Sequence, residues 1–276
     1  MSPLTQRILT ALVLASAVAA LILRFDDGAF AAAIGAFIVL AAREWAVLSG
    51  IRSPERCWAI AVAMALLLAG LFALLTPTVQ FILAYLGLAW WVSALFWLRH
   101  PEWGGVGTPT WAAGKLALGL VVLIPAWAAL VSLHAVPGLG PWLVLYLFTL
   151  IWVADSGAYF VGRSLGQRPL APRVSPGKTV EGALGAIGFS LVWALAGGWL
   201  FDFSGRGLAA FTALGVLVAA ISVVGDLVES IMKRQAGMKD SGKLLPGHGG
   251  VLDRIDSLAA AAPAFFIGYA WLAALS

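Results

Sequence analysis

The sequence predicts an all-α integral membrane protein with about nine transmembrane helices. Hydrophobic residues make up 62% of the 276 residues and charged residues only 11%, whereas a soluble domain carries about 25% charged residues. Long apolar runs separate the clusters of charge. A disordered chain, a soluble enzyme and a disulfide-stapled secreted domain are therefore excluded, because none of them carries this much apolar surface.

The predicted helices are apolar runs at about residues 8–23, 29–42, 58–75, 79–98, 112–133, 142–162, 179–200, 207–232 and 257–275. A bilayer crossing needs about 20 residues, so the first two runs are short for a span. The first run also imitates a signal peptide, since Arg7 precedes it and Ala15-Ser16-Ala17 is similar to a cleavage site. A second span follows almost at once, which favours a retained helix.

The basic residues predict the orientation of the chain. With the N-terminus inside and alternating spans, only Arg24 and Arg206 of the 17 basic residues fall outside. Because inner segments of membrane proteins are rich in Lys and Arg, we expect a cytoplasmic N-terminus and an outside C-terminus. The net charge of +4 then reflects topology, and no nucleic-acid partner is predicted. Cys57 is the only cysteine, so no intrachain disulfide can form.

Several acids lie inside or at the ends of apolar runs, where a charge costs about 2.5–3.5 kcal/mol on insertion scales. Asp155 lies near the inner end of the sixth run. Asp226 and Glu229 share one helical face in the eighth run, and Asp253 and Asp256 repeat that spacing before the ninth. A lone acid of this kind would be interpreted as an interfacial partner of Arg or Lys. Two acids on one helical face repel each other unless a positive charge lies between them. Because carboxylate oxygens are the ligands of hard divalent cations, we expect such a cation here, with Mg²⁺ as the first candidate.

The segment between the eighth and ninth runs combines glycines with cations. Its five glycines allow the backbone to approach a ligand closely. Its polar and glycine candidates are Lys233, Arg234, Lys239, Asp240, Lys243, His248, Gly249, Gly250 and Arg254. A loop that binds anionic lipid head groups would also be rich in lysine, but that role leaves the paired acids unexplained. The segment therefore predicts a phosphate-and-metal site.

A second cluster, RVSPGKTVEG at residues 173–182, precedes the seventh run. Its Gly-Lys-Thr is only superficially similar to a P-loop, because Pro172 stands where glycine is required and no strand is predicted before it. The cluster opens a helix, whose free N–H groups can bind phosphate. Three glycines farther along are interpreted as helix-packing residues: Gly182, Gly185 and Gly188.

At these residues the chain resembles the phosphatidate cytidylyltransferase family, also called CDP-diacylglycerol synthases. The family's C-terminal signature is matched at every fixed position from Ser230 to Asp256, as SIMKRQAGMKDSGKLLPGHGGVLDRID. Asp155-Ser-Gly-Ala-Tyr159 is similar to the family's D-T-G-A-Y segment. The segment Ser175–Gly182 is similar to S-P-K-K-T-V-E-G, with Gly177 in place of a lysine. The resemblance covers roughly residues 150–257, and the earlier spans match in hydropathy only.

The resemblance implies a reaction of CTP with phosphatidate that gives CDP-diacylglycerol and diphosphate. The attacking phosphate is already ionised at neutral pH, so the site has to position two polyanions and neutralise charge, as metal ions, Lys and Arg do. The implied catalytic residues are Asp226, Lys239, Asp253, Arg254 and Asp256, and the three aspartates are the implied Mg²⁺ ligands. The implied substrate-binding residues are Asp155, Ser175, Lys178, Thr179, Glu229, Lys233, Arg234, Asp240, His248, Gly249 and Gly250.

The implied partners are CTP, phosphatidate and the lipid bilayer. We expect one membrane domain over residues 1–276, with N-terminal spans at 1–141 and catalytic spans and loops at 142–276. The expected location is the bacterial inner membrane, with the site facing the cytoplasm. A monovalent cation such as K⁺ and a homodimer are left open.

Three other functions compete with this one. An ion transporter or channel would explain Asp155 and Asp226 but not the loop of glycines and cations. A CTP-dependent lipid or prenol kinase would transfer the terminal phosphate instead of the nucleotidyl group. A purely structural membrane protein would leave the acid pairs unexplained. A CDP-alcohol phosphotransferase is excluded, because its D-x2-D-G-x2-A-R segment is not in the sequence.

Overall fold

A computed structural model describes residues 3–105, 109–242, 244 and 249–275, and side chains are described from Val13 in the first helix and from Trp111 in the fifth. The described residues form α1 (Pro3–Arg24), α2 (Asp27–Leu48), α3 (Pro54–Ala73), α4 (Pro77–Arg99), α5 (Pro109–His134), α6 (Gly140–Leu165), β1 (Pro169–Ala171), β2 (Ser175–Thr179), α7 (Val180–Leu200), α8 (Gly205–Gln235) and α9 (Leu252–Leu275). Each predicted run is a helix, and α2 to α9 are long and apolar enough to cross a bilayer. The polytopic helical class is confirmed, while the orientation of the termini stays a prediction.

The second helix is longer than the predicted run, which ends at residue 42. Arg43 and Glu44 follow without breaking the helix, and α2 continues to Leu48, for 22 residues in all. The Asp26 side chain caps its start by accepting a hydrogen bond from the Ala29 N–H at 2.8 Å. A charge therefore lies inside this span, and Glu44 is only 1% exposed.

A small β-hairpin between α6 and α7 is not predicted by the sequence. Strands β1 and β2 pair antiparallel, with Pro169 opposite Thr179. Glu181, in the first turn of α7, fixes the hairpin because its Oε2 accepts hydrogen bonds from the N–H groups of Gln167 and Arg168 at 3.0 and 3.1 Å. The Thr179 hydroxyl caps α7 by accepting from the Gly182 N–H at 3.1 Å. Lys178 thus lies in a strand that leads directly into a helix.

Glycines let α6 and α7 pack backbone against backbone. A Cβ atom at Gly185 would lie 2.7 Å from the Gly157 carbonyl oxygen, and one at Gly182 would lie 2.9 Å from the Ala158 carbonyl oxygen. The interpretation of Gly182 and Gly185 as packing residues is confirmed. It is wrong for Gly188, where a Cβ would meet no atom of the described residues within 4 Å.

The segments after α4, α6 and α8 meet at one end of the bundle, here called the site end. Gln235, the last residue of α8, donates from Nε2 to the carbonyl oxygens of Pro101 and Trp103, both at 2.8 Å. Arg234 donates from Nε to the Val174 carbonyl in the hairpin at 3.3 Å. The loops after α4, α6 and α8 therefore share one end, as the distribution of basic residues predicts. At the opposite end, His134 Nδ1 lies 2.6 Å from Asp27 Oδ1.

Candidate metal and phosphate site

Three carboxylates meet where α8 packs against α9. Asp226 and Glu229 come from α8 and Asp256 from the first turns of α9, and one oxygen of each lies within 4.8 Å of the others. The spacing of three residues in α8 places the first two on one face. Glu229 is 3% exposed, so the group, here called the acid group, lies partly inside the protein.

Gly225 explains how Asp226 comes so near to Asp256. A Cβ atom at Gly225 would lie 2.5 Å from the Asp256 carbonyl oxygen and 2.9 Å from the Ala260 Cβ. The α8 and α9 backbones therefore touch next to the acid group, and only glycine permits that approach.

We expect Gly225→Ala to lower the turnover number about tenfold or more, because the added methyl forces the helices apart, as overpacking by about 1–3 kcal/mol does elsewhere. Gly188→Ala is the matched control, since a Cβ there meets open space, and its activity should equal that of the wild type. The folded fraction of each variant is isolated by size-exclusion chromatography in detergent. The activity per milligram of that fraction is then compared between the two variants and the wild type. Equal activity of the two variants would contradict this account of the helix contact.

The acid group fits a divalent cation. Glu229 Oε1 is buried and receives no hydrogen bond from any residue that the structure describes. A buried carboxylate oxygen without a partner is costly unless a cation or a donor satisfies it. Because all three side chains offer oxygen ligands, the set suits a hard cation such as Mg²⁺.

Lys233 connects the acid group to the first turn of α9. Its Nζ donates to Glu229 Oε2 at 2.8 Å and to Asp253 Oδ1 at 2.7 Å. The other oxygen of Asp253 accepts hydrogen bonds from the N–H groups of Ser241 and Gly250 at 2.9 and 2.8 Å. Asp253 is thus occupied by Lys233 and by donors from the loop before α9.

The structure therefore groups the acids differently from the predicted ligand set. Glu229, predicted to bind substrate, lies in the acid group, and Asp253 lies beside it across Lys233. The assignment of Asp253 as a metal ligand stays a prediction. Gly249 packs against this carboxylate, because a Cβ there would lie 2.6 Å from Asp253 Oδ2 and the residue has a φ of +83°.

The hairpin brings a second lysine to the acid group. Lys178 Nζ forms an ion pair with Asp226 Oδ2, and the two side chains are 27% and 34% exposed. Asp155 of α6 is within electrostatic range of Asp226, Lys178 and Arg254. Residues from four elements thus surround the acid group.

The remaining candidates lie around this centre or outside the described residues. Arg234, Lys239, Asp240 and Arg254 are exposed at the site end, and Ser175 is partly buried at the start of β2. His248 and Lys243 lie outside the part of the chain that the structure describes.

Two residues of the site end, Glu44 and Ser241, are absent from the sequence-based prediction. Glu44 accepts hydrogen bonds from the Ser241 hydroxyl and from two N–H groups at the start of α9. The only signal for Glu44 is an acid near the end of a predicted span, where an interfacial charge is ordinary.

The sequence is similar to characterised families along nearly its whole length. The model of the cytidylyltransferase family matches residues 5–272. A phosphatidate cytidylyltransferase of Pseudomonas aeruginosa is 44% identical over 267 residues, which cover 95% of this chain and 95% of that protein. Its counterpart from Haemophilus influenzae is 37% identical over 303 residues, covering 96% of this chain and 98% of that protein.

Proposed function

The chain belongs to the cytidylyltransferase family, and we propose that it transfers the cytidylyl group of CTP to phosphatidate, giving CDP-diacylglycerol and diphosphate. Relatives with the name phosphatidate cytidylyltransferase cover nearly the whole chain. The observation that carries the proposal is the acid group, flanked by Lys178 and Lys233 at the site end.

In this reaction an oxygen of the phosphatidate phosphate attacks the α-phosphorus of CTP. A new P–O bond forms, the bond from the α-phosphorus to the bridging oxygen breaks, and its electron pair leaves with diphosphate. The attacking oxygen is already ionised, so the chain needs no residue to remove a proton. The task of the protein is to hold two anions together and to offset the charge that develops between them.

Asp226, Glu229 and Asp256 would hold Mg²⁺, in place of the predicted set that includes Asp253. When bound, this cation supplies positive charge beside the triphosphate. Lys233 keeps Glu229 and Asp253 apart by donating to both. Its ammonium offsets the negative charge of the two carboxylates when no nucleotide is present.

Cations at the rim of the site would bind the triphosphate. Lys178 is partly exposed and pairs with Asp226, so its ammonium lies between the acid group and the surface. Lys239 and Arg254 are exposed at the same end, and we assign both to the phosphates. Ser175 and Thr179 lie in the same strand as Lys178, and we assign their hydroxyl groups to the phosphates as well.

A site at one end of a membrane-spanning bundle can receive one substrate from the lipid bilayer and the other from the water. Phosphatidate stays in the bilayer with its phosphate at the head-group plane, and CTP arrives from the water. We place the site end at the cytoplasmic face of a bacterial inner membrane, on the basis of the basic residues gathered there. Residues 142–276 form the catalytic part of a single domain in this proposal. K⁺ and a homodimer are not required by it.

The test of function uses CTP labelled in turn at the α- and γ-phosphorus, with phosphatidate and Mg²⁺ in mixed micelles. Nucleotidyl transfer carries the α-label into the lipid and releases the γ-label as diphosphate. A lipid kinase would move the γ-label into the lipid and release CDP. Failure to move either label into the lipid would count against both enzymes and favour an ion transporter.

We expect Lys239→Ala to raise the KM for CTP about tenfold while kcat changes less, because a phosphate contact of about 1.5–3 kcal/mol is lost. Initial rates over a series of CTP concentrations measure both constants. Arg206→Ala, which removes an exposed cation at the opposite end of the bundle, should leave the KM for CTP unchanged. An unchanged KM in Lys239→Ala would remove that residue from the phosphate site.

A further inference from the structure

Glu44 is a buried carboxylate from the N-terminal half of the chain, and the proposed chemistry gives it no role. It lies in α2, is 1% exposed, and both of its oxygens accept hydrogen bonds. Oε1 accepts from the Val251 N–H at 3.1 Å, and Oε2 accepts from the Leu252 N–H at 2.8 Å and from the Ser241 hydroxyl at 2.8 Å.

These contacts make Glu44 the cap of another helix. Leu252 is the first residue of α9, and the N–H groups of a first turn have no partner within their own helix. A carboxylate at this position satisfies them and interacts favourably with the helix dipole. Residues that cap a helix usually lie beside it in sequence, whereas this one is 208 residues away from Leu252.

The loop before α9 is shaped to enclose this carboxylate. A Cβ atom at Gly250 would lie 2.6 Å from Glu44 Oε1, and one at Gly242 would lie 2.8 Å from Glu44 Cδ. Any larger residue at either position would displace the carboxylate or the loop. Gly250, which the resemblance implies to be a substrate-binding residue, lies against Glu44 in the structure, and its substrate role stays a prediction.

A continuous path of hydrogen bonds leads from Glu44 to the acid group. Ser241 connects the two carboxylates, because its hydroxyl donates to Glu44 Oε2 at 2.8 Å and its backbone N–H donates to Asp253 Oδ2 at 2.9 Å. Asp253 accepts from Lys233, and Lys233 also donates to Glu229 in the acid group. The position of Glu44 therefore bears on both the loop and the start of the helix that carries Asp256.

We infer that Glu44 is a positioning residue, which fixes residues 241–242 and 250–251 and the first turn of α9 so that Asp256 is held in the acid group. The inference rests on the proposed function for its effect on turnover. Its structural part, the anchoring of the loop, is independent of which reaction the site performs.

Glu44→Gln is the first test, because glutamine has nearly the same shape as glutamate but replaces one acceptor oxygen with an N–H₂ group. That group would face the N–H and O–H donors that now bind the carboxylate. We expect kcat per folded enzyme to fall about 10–100-fold, as for residues that orient metal ligands, and the Mg²⁺ concentration for half-maximal activity to rise severalfold. The KM for phosphatidate should stay nearly constant. Trypsin should cleave faster after Lys239, since the loop has lost its anchor.

Glu102→Gln is the matched control, because Glu102 is an exposed glutamate at the same end, with 60% of its side chain accessible. It should show wild-type kcat, Mg²⁺ dependence and trypsin cleavage. A loss of activity in Glu44→Gln with unchanged half-saturating Mg²⁺ and unchanged cleavage would indicate only a smaller folded fraction, and would overturn the inference. Wild-type values throughout would also overturn it.

Ser241→Ala is the second test, and it decides the matter if Glu44→Gln does not fold. It removes the hydroxyl that donates to Glu44 and leaves the two N–H bonds to Glu44. We expect a smaller fall in kcat with a rise in half-saturating Mg²⁺, and the absence of both would contradict the inference. If the wild-type protein makes no CDP-diacylglycerol, the proposed function fails, while the trypsin comparison still tests the anchoring.

Discussion

Asp256→Asn should lower kcat/KM about 10²–10³-fold, because a cation held by three carboxylates contributes several kcal/mol to transition-state charge stabilisation. Asp256 is the member of the acid group that α9 supplies. Asp253, one turn earlier in that helix, already accepts hydrogen bonds from Lys233, Ser241 and Gly250. Mn²⁺, which prefers the same ligands, gives a measurement besides activity. Its binding, followed by electron paramagnetic resonance in detergent, should weaken in the variant.

Asp202→Asn serves as the control for Asp256→Asn. Asp202 lies at the opposite end of the bundle with a φ of 59°, a conformation that asparagine tolerates well. Its activity and Mn²⁺ binding should match the wild type. Near-normal Mn²⁺ binding by Asp256→Asn would refute the acid group as the metal site. Asp253→Asn should affect Mn²⁺ binding less, and an equal effect would restore Asp253 as a ligand.

Lys233→Met should abolish measurable turnover and lower the free energy of unfolding by about 3–5 kcal/mol, the usual effect of removing one partner of a buried ion pair. Lys233 is 14% exposed, and its partners Glu229 and Asp253 are 3% and 8% exposed. Without the ammonium, two carboxylates face each other beside Asp226 and Asp256. Reversible denaturation with SDS in mixed micelles measures the loss.

Lys178→Met removes the same charge from a more exposed pair, so its effect on stability should be only about 0–1 kcal/mol. The double variant Lys233→Met with Glu229→Gln should recover part of the lost stability, since one unpaired carboxylate has been neutralised. If the double variant is no more stable than Lys233→Met alone, repulsion among the acids is not the cause.

The main elements of the fold could be predicted because a membrane span has to be apolar over its full length. Each predicted run is a helix, from α1 to α9. The errors occur where a polar segment is held by tertiary contacts. The run ending at residue 42 becomes a helix to Leu48 because the loop before α9 satisfies Glu44, and the hairpin β1–β2 forms where Glu181 fixes the backbone.

The sequence predicted which residues lie in the candidate site, but it did not predict which of the carboxylates come together in the acid group. The spacing of Asp226 and Glu229 places both on one helical face, and this depends on α8 alone. Whether Asp253 or Asp256 joins them depends on how α9 is rotated against α8 and on which donors occupy each carboxylate. The contact at Gly225 and the bonds from Ser241 and Gly250 to Asp253 decide this.

The chain by itself determined which segments lie in lipid and which acids and lysines meet near one end of the bundle. Hydropathy and helical periodicity are local properties, so they are readable from neighbouring residues. Only the tertiary structure decided that Glu229 completes the acid group and that Glu44 caps α9, because both depend on contacts between segments far apart in sequence. A buried carboxylate has to accept hydrogen bonds from some donor in the folded protein, and its neighbours in the sequence do not specify which donor that is.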